Sequence, residues 1–237
     1  MRDSGRILAR VLKLVAREIA PGKTLAELDR ACEELIRSEG GEPTFKGYRG
    51  FPCATCISIN EEVVHGIPGE RRLEPGDLVK VDCGVTRNGL ITDAARTYEV
   101  GDVGPQKHAL ALATEEAFRV GIEQARAGNR VSDIGAAVEE FVEERGYSVV
   151  RDLCGHGVGR ELHEEPSVPN YGRPGKGIRL EAGMTLAIEP MVNLGRFEVE
   201  TEANGWTVVT KDRLPSAHYE NTILVTDGAP EILTLKE

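Results

Sequence analysis

Two aspartates flank a predicted hairpin. Asn88-Gly89 lies between two β-rich runs and is a strong signal for a two-residue turn. With that turn Asp82 faces Ala95, so the period-two alternation of strands places Asp82 and Asp93 diagonally on one face, their Cβ atoms roughly 7 Å or less apart. Unpaired aspartates on a largely apolar strand face repel each other and lose solvation, so they need cations. From the hairpin alone, a solvated face without function is an equal alternative.

Three further residues carry metal-binding groups beside apolar strand sequence. His156 is flanked by glycines within residues 155–159, Glu189 follows the apolar run 183–188, and Glu220 precedes another apolar run. Each has a structural alternative when taken alone, as a buried histidine or as an ordinary strand-end carboxylate. Together with the two aspartates they supply one imidazole and four carboxylates.

Four carboxylates and one imidazole are a suitable set of ligands for a pair of divalent cations. Four carboxylates neutralise two divalent cations and can bridge them at the roughly 3.5–4 Å separation of two-metal sites. A set rich in oxygen with a single histidine suits Mn²⁺, Fe²⁺ or Co²⁺ better than a thiolate-rich zinc site would. A water held between the cations has a lowered pKa and becomes a hydroxide nucleophile. The residues therefore predict a two-metal hydrolase.

The elements that position these groups follow one pattern twice. Helical spacing of apolar residues covers 5–19, a capping box at Thr24 and Glu27 opens a second helix that ends at Gly40-Gly41, and strands follow near 56–59 and 78–82. In the second part we expect helices over 106–127 and after Ser132, then strands near 184–188, 206–209, 221–225 and 231–233. We expect one α+β domain, residues 1–237, with similar halves at about 1–100 and 104–237.

Charge and composition exclude several classes of protein. A formal net charge of −10 argues against specific nucleic-acid binding, which needs a basic face. The odd number of cysteines, five, and the absence of a secretory signal predict a reduced, cytoplasmic chain. No apolar run approaches the roughly 20 residues that span a membrane. The Cys53/Cys56 pair has no second pair with which to form a structural zinc site.

At this point the chain resembles methionine aminopeptidases, in the compact bacterial type I form of the pita-bread metallopeptidases. The resemblance runs over nearly the whole chain and implies the pita-bread fold, a curved antiparallel sheet between two pseudo-symmetric helix-helix-strand halves. It is carried by an ordered set of motifs: Gly47–Pro52, Cys56–Glu61, Val64–Pro68, Asp82 and Asp93, Gly155–Arg160, His163–Pro166, Ile188–Met191 and Tyr219–Thr222.

The resemblance implies a role for each candidate residue. Glu189 would act as general base, His65 would contact the scissile nitrogen, and His163 would steady the developing oxyanion. The free amino terminus of the substrate would bind one metal. The five metal ligands would be Asp82, Asp93, His156, Glu189 and Glu220, with Asp93 and Glu220 bridging both ions.

The resemblance also implies a methionine pocket and a third ion. A monovalent cation would lie on the backbone carbonyls of Asn60, Glu62 and Ser216. Leu162 replaces an expected aromatic residue, and Phe45 stands where a smaller one is familiar. Ordinary core packing is the alternative for all of the pocket positions, which are Tyr48, Phe51, Cys56 and Trp206 on the walls and Phe45 and Leu162 at the edge.

The expected function is removal of the initiator methionine from nascent polypeptides by a monomeric cytoplasmic enzyme working near the ribosome. A rival within enzymes is a proline-specific peptidase with the same five ligands. Such enzymes usually carry an additional amino-terminal domain, and the run 160–166 is more like the methionine branch. A rival of another class is a non-catalytic pita-bread module that binds peptides, although such modules typically lose metal ligands.

Overall fold

The computed structural model describes residues 1–235, so residues 236–237 of the expected domain lie outside the described part. Each half of the chain begins with two helices. Thr24 and Glu27 form the predicted capping box, with the Thr24 hydroxyl accepting from the backbone N–H of Glu27. The helices are α1 Arg2–Glu18, α2 Leu25–Ser38, α3 Gly104–Glu123 and α4 Val131–Glu143.

The second helix pair differs from the prediction at two ends. α4 begins at Val131, ahead of Ser132, because the Asp133 carboxylate accepts from the backbone N–H of Arg130 at 2.7 Å. The Ser132 hydroxyl donates to Lys176 O at 2.6 Å and is not the cap. α3 ends at Glu123, four residues before the predicted end, since the backbone beyond it bonds to other segments at Thr226 and Leu180.

Four of the five strands of the first half form a sheet in the order β1-β4-β2, with β5 paired to β4, whereas β3 pairs with a strand of the second half. The long hairpin has the predicted register, with Asp82 opposite Ala95. Asn88 and Gly89 both have positive φ, 53° and 72°, which a turn of this kind requires. The strands are β1 Glu42–Pro43, β2 Thr55–Ile59, β3 Glu62–Val64, β4 Leu78–Arg87 and β5 Leu90–Glu99.

The second half contributes shorter strands. Five of them form a sheet in the order β15-β14-β9-β7-β8, while β13-β10-β6 and β11-β12-β3 form two smaller ones. The strand expected at 206–209 is β12, shifted to Val208–Thr210. The strands are β6 Ser148–Val149, β7 Gly155–Gly157, β8 Glu164–Val168, β9 Thr185–Ile188, β10 Met191–Asn193, β11 Val199–Thr201, β12 Val208–Thr210, β13 Ser216–His218, β14 Asn221–Leu224 and β15 Glu231–Ile232.

The two halves join along β5 and the segment leading into β14. Ala95 and Glu220 exchange backbone hydrogen bonds of 3.3 and 3.0 Å. The Thr222 hydroxyl accepts from the backbone N–H of Asp93 at 2.8 Å and donates to Asp93 O at 2.9 Å. The surface therefore continues from β4 through β5, β14 and β9 to β7.

The helices cover the back of this surface. Leu8 and Leu28, from α1 and α2, lie in one buried cluster with Val81 of β4. Leu110 and Val138, from α3 and α4, lie in another. Burial of these apolar faces fixes the sheet that carries the candidate site.

Candidate active site

The five predicted ligands come from neighbouring strands of the joined surface. Asp82 lies on β4, Asp93 on β5 and His156 on β7. Glu220 immediately precedes β14, and Glu189 immediately follows β9. Strand alternation and pairing therefore bring together residues that are up to 138 positions apart in the chain.

The ligand atoms converge on a small space. One ligand atom each from Asp93, His156 and Glu220 lie within 4.8 Å of one another. His156 Nε2 is 3.5 Å from Glu189 Oε1 and 4.0 Å from Asp93 Oδ2. Asp82 borders the same cavity. The arrangement offers oxygen and nitrogen donors from all five side chains to a common volume.

His156 is oriented by its own backbone segment. Its Nδ1 lies 2.9 Å from Gly157 O, so Nδ1 carries the proton and Nε2 presents its lone pair to the carboxylates. The flanking glycines permit this placement, because a Cβ on Gly155 would lie 2.3 Å from Ala187 O and one on Gly157 would lie 2.3 Å from Glu165 O. The neighbouring strands thus approach the backbone so closely that only glycine fits on either side of His156.

Burial and mutual repulsion shift the pKa values of these groups strongly. Burial raises the pKa of Asp93 to about 7. The pKa values of Asp82, Glu189 and Glu220 lie well above the ordinary range because of burial and then of the neighbouring carboxylates. Burial lowers the pKa of His156 to about 4. Four acidic groups held this closely require either protons or cations.

The oxygen atoms of the cluster fit divalent cations. Within residues 1–235, Asp82 Oδ1, Asp93 Oδ1 and Glu220 Oε1 are buried without a hydrogen-bond partner. Such orphaned acceptors are rare in folded proteins and call for an ion or an ordered water. Hard, oxygen-rich donors with one imidazole match the divalent ions expected from the sequence.

One cavity of about 220 Å³ joins this cluster to an apolar pocket. Phe51 and Trp206 meet edge to face with ring centroids 5.1 Å apart. Cys56 lies opposite Asp82 on the paired strand β2, so the pocket adjoins the carboxylates directly. The cavity is lined by every residue predicted for the site and by Arg49: Phe45, Tyr48, Phe51, Cys56, His65, Asp82, Asp93, His156, Leu162, His163, Glu189, Trp206 and Glu220.

Two further histidines stand at this cavity. The Tyr48 hydroxyl lies 2.8 Å from Nδ1 of His163, which fixes the ring and leaves Nε2 available to the cavity. His65 follows β3 with a φ of 59°, a strained backbone conformation of the sort concentrated at functional sites. Partial burial lowers the pKa of both imidazoles, so they are neutral donors near pH 7.

The sequence model of metallopeptidase family M24 matches residues 1–227. The chain belongs to metallopeptidase family M24. The family predicted from the sequence motifs is thereby confirmed, and the chain is a hydrolase of the metallopeptidase class.

Relatives similar to this M24 chain over its full length include methionine aminopeptidases. A methionine aminopeptidase of Clostridium perfringens is 52% identical over 235 residues, which cover 99% of this chain and 94% of that protein. The crystal structure of a methionine aminopeptidase from Thermotoga maritima superposes with a TM-score of 0.98 at 45% identity, covering 100% of this chain and 95% of the other. The resemblance to methionine aminopeptidases is confirmed over the full chain.

A more distant solved structure shares the fold but belongs to a longer chain. The prolidase from Pyrococcus furiosus superposes with a TM-score of 0.80 at 25% identity, and the match covers 100% of this chain but 63% of the prolidase. The pita-bread α+β fold expected from the sequence is confirmed by both structures. None of the helices within residues 1–235 is long and apolar enough to cross a membrane.

Two residues of the M24 site escaped the sequence analysis. His218, on β13, is 1% exposed and lies 3.8 Å from Glu189 and 3.9 Å from Glu220, measured from Nε2 to carboxylate oxygens. Neither ring nitrogen has a hydrogen-bond partner in the described chain, and burial lowers its pKa to about 3. The sequence feature that could have indicated His218 is its position two residues before the predicted ligand Glu220. Arg49 lies at the cavity in a left-handed conformation, φ 49°, beside the Tyr48 ring.

One of the three carbonyl oxygens expected to hold a monovalent cation, Asn60 O, is bonded by other groups of the chain. Asn60 O accepts from the side-chain amine of Lys80 at 2.8 Å and from the backbone N–H of Ser216 at 3.0 Å. Burial lowers the pKa of Lys80 to about 7, against the raising effect of Glu62 and Glu61. An amine of this chain thus bonds one of the three carbonyl oxygens on which the resemblance implies an ion.

Proposed function

We propose that this chain is a methionine aminopeptidase that removes the amino-terminal methionine from newly made polypeptides. The observation that carries the proposal is the continuity of one small cavity, in which the carboxylate cluster and the aromatic, sulfur-containing pocket are adjacent. Divalent cations held by the carboxylates would bind the amine of a free amino terminus, while the pocket accepts a flexible thioether side chain.

Two divalent cations would be held by Asp82, Asp93, His156, Glu189 and Glu220. When bound, they would supply Lewis-acid charge and lower the pKa of a coordinated water. The orphaned buried oxygens of Asp82, Asp93 and Glu220 support this assignment. Metal analysis of protein purified without added metal would identify which of Mn²⁺, Fe²⁺ and Co²⁺ these residues hold in the cell.

The remaining roles follow from the side chains themselves. Glu189 borders the cavity beside the other carboxylates, so its carboxylate can take the proton of the attacking water and return it to the leaving amine. Tyr48 donates to Nδ1 of His163, and the Nε2–H then donates to the developing oxyanion. A neutral His65 hydrogen-bonds the scissile nitrogen.

The pocket walls select the first side chain. Phe45, Phe51, Cys56 and Leu162 lie in one buried apolar cluster, against which Tyr48 and Trp206 pack. The two departures from the expected family pattern, Phe45 and Leu162, therefore belong to one wall. We propose that the larger Phe45 compensates for the missing aromatic ring at position 162.

A panel of peptides tests this function. Protein loaded with Mn²⁺ or Co²⁺ is given Met-Ala-Ser, its amino-acetylated form and an Xaa-Pro peptide, and the released residue is identified by chromatography. We expect methionine from the free Met-Ala-Ser only. Cleavage of the Xaa-Pro peptide alone would indicate the proline-specific activity, and no cleavage of any peptide would indicate a peptide-binding module.

A further inference from the structure

Lys80 is a lysine enclosed within the sheet beneath the site. It lies on β4, two residues before Asp82, and is 1% exposed. Its amine donates to Asn60 O at 2.8 Å and lies 3.4 Å from Leu78 O. Fully buried lysines are rare unless paired, so this placement requires a reason.

The lysine leaves Asn60 O no capacity for another ligand. A carbonyl oxygen has two lone pairs, and here one faces the Lys80 amine and the other the backbone N–H of Ser216 at 3.0 Å. The amine occupies this space whether or not it is protonated. A monovalent cation therefore does not fit on this oxygen.

The side chain of Asn60 is also satisfied by groups of the chain. Asn60 Oδ1 accepts from the backbone N–H of Leu78 at 3.0 Å and from the Lys107 amine at 2.8 Å. Asn60 Nδ2 donates to Asp77 Oδ1 at 2.8 Å. The turn between β2 and β3, with Asn60 at a φ of 52°, is thus held by internal hydrogen bonds.

Negative charge compensates the buried amine. The carboxylates of Glu61 and Glu62 follow Asn60 directly and raise the pKa of Lys80, opposing the larger lowering by burial. Glu62 itself is fixed, because its Oε2 accepts from the backbone N–H of Ile59 at 2.7 Å. The Lys80 amine, when protonated, thus supplies the positive charge that a monovalent ion would bring, and the two carboxylates balance it.

The position of Asn60 O connects two parts of the site. β3 runs from the Asn60 turn to His65, and Ser216 opens β13, which leads to His218 and Glu220. We propose that Lys80 replaces the monovalent cation expected on these carbonyls, so that this chain holds the segments carrying His65 and Glu220 without Na⁺ or K⁺. Lys80 is in this account a positioning residue.

Thermal unfolding in different salts tests the proposal. The metal-stripped protein is melted in KCl, NaCl and tetramethylammonium chloride at equal ionic strength, which keeps charge screening constant. We expect the Tm of the wild type to agree within about 1 °C in the three salts. Lys80→Ala should melt lower in all of them, with K⁺ or Na⁺ restoring about 2–4 °C relative to tetramethylammonium.

Lys107→Ala is the matched control, since it removes a second lysine from the same asparagine but from the side-chain oxygen. It should lower the Tm equally in all three salts. A Tm of the wild type that rises specifically in K⁺ or Na⁺ overturns the proposal, and so does a folded Lys80→Ala variant without cation preference. The wild-type comparison decides by itself should Lys80→Ala fail to fold. Because the readout is thermal stability, its result is independent of peptide cleavage.

Discussion

Protonation of the buried carboxyl groups should control metal binding. A carboxyl whose folded pKa exceeds its unfolded value stabilises the metal-free fold below the unfolded pKa, and this contribution is lost as pH rises through the folded pKa. For Asp93 the window runs from 3.8 to about 7. His156, with a pKa of about 4, is neutral over most of that range and does not compete for protons.

We therefore predict that the rise in Tm produced by Mn²⁺ grows between pH 6 and pH 8. The metal-free protein loses stability as its carboxyl groups ionise, whereas bound cations replace the protons. The dissociation constant for Mn²⁺, from calorimetry, should fall about tenfold per pH unit for each proton displaced. An affinity that stays constant or weakens as the pH rises would contradict this.

The role of Glu189 predicts a specific kinetic loss. Glu189→Gln keeps the shape of the side chain but removes the group that holds the proton, so kcat for Met-Ala-Ser should fall at least about 100-fold with little change in KM. Bound metal is measured in parallel, because Glu189 is also a proposed ligand. Glu200→Gln, at an exposed surface carboxylate paired with Arg213, is the control and should keep full activity. Near-normal kcat in Glu189→Gln would remove it from the mechanism.

Residue types and spacing predicted the five metal-binding candidates at the cavity, because each sits beside apolar strand sequence, and the resemblance to methionine aminopeptidases predicted the other eight. His218 and Arg49 were not predicted for different reasons. His218 is brought to Glu189 by the pairing of β10 with β13, a contact between short strands whose register no turn signal specifies. Arg49 reaches the cavity through a left-handed backbone conformation that arginine seldom adopts.

At the scale of elements, local signals succeeded where they were strong. The Asn88-Gly89 turn fixed the register of ten residue pairs between β4 and β5, and therefore the diagonal placement of Asp82 and Asp93. The capping box of α2 likewise appears as predicted. The predicted start of α4 was wrong because Asp133, and not Ser132, supplies the capping oxygen. Strands of two or three residues, such as β6 and β10, are too short to show a period.

The joint between the halves gives a prediction at this scale. Thr222→Val removes a hydroxyl that bonds both backbone groups of Asp93 while preserving the shape of the side chain. The buried N–H of Asp93 is then unpaired, so the free energy of unfolding should fall by about 1–3 kcal/mol in urea denaturation. Mn²⁺ should also bind more weakly, because Asp93 loses its support.

Thr226→Val is the control for this variant. The hydroxyl of Thr226 makes two comparable hydrogen bonds, but both lie within an exposed turn, to Ala229 O and from the backbone N–H of Gly228. It should lose less than about 1 kcal/mol of stability, since water can replace those partners. Equal stability of Thr222→Val and the wild type would show that the joint does not depend on this hydroxyl.

At the scale of the whole molecule, the site exists only where the two halves meet. Asp82, Asp93 and His65 come from the first half, whereas His156, Glu189 and Glu220 come from the second. Neither half alone carries enough ligands for two divalent cations. The sequence could indicate both sets separately, but their convergence depends on the long-range pairing of Ala95 with Glu220, for which no local pattern exists.

The central claim is that cleavage of an amino-terminal methionine depends on cations held by these five residues. The most direct measurement is a titration of the metal-stripped protein with Mn²⁺, Fe²⁺ or Co²⁺ while methionine release from Met-Ala-Ser is followed. We predict no release in chelator and a plateau reached by about two equivalents of metal per chain. Full release in the presence of chelator, or metal binding at full stoichiometry without any release, would contradict the account.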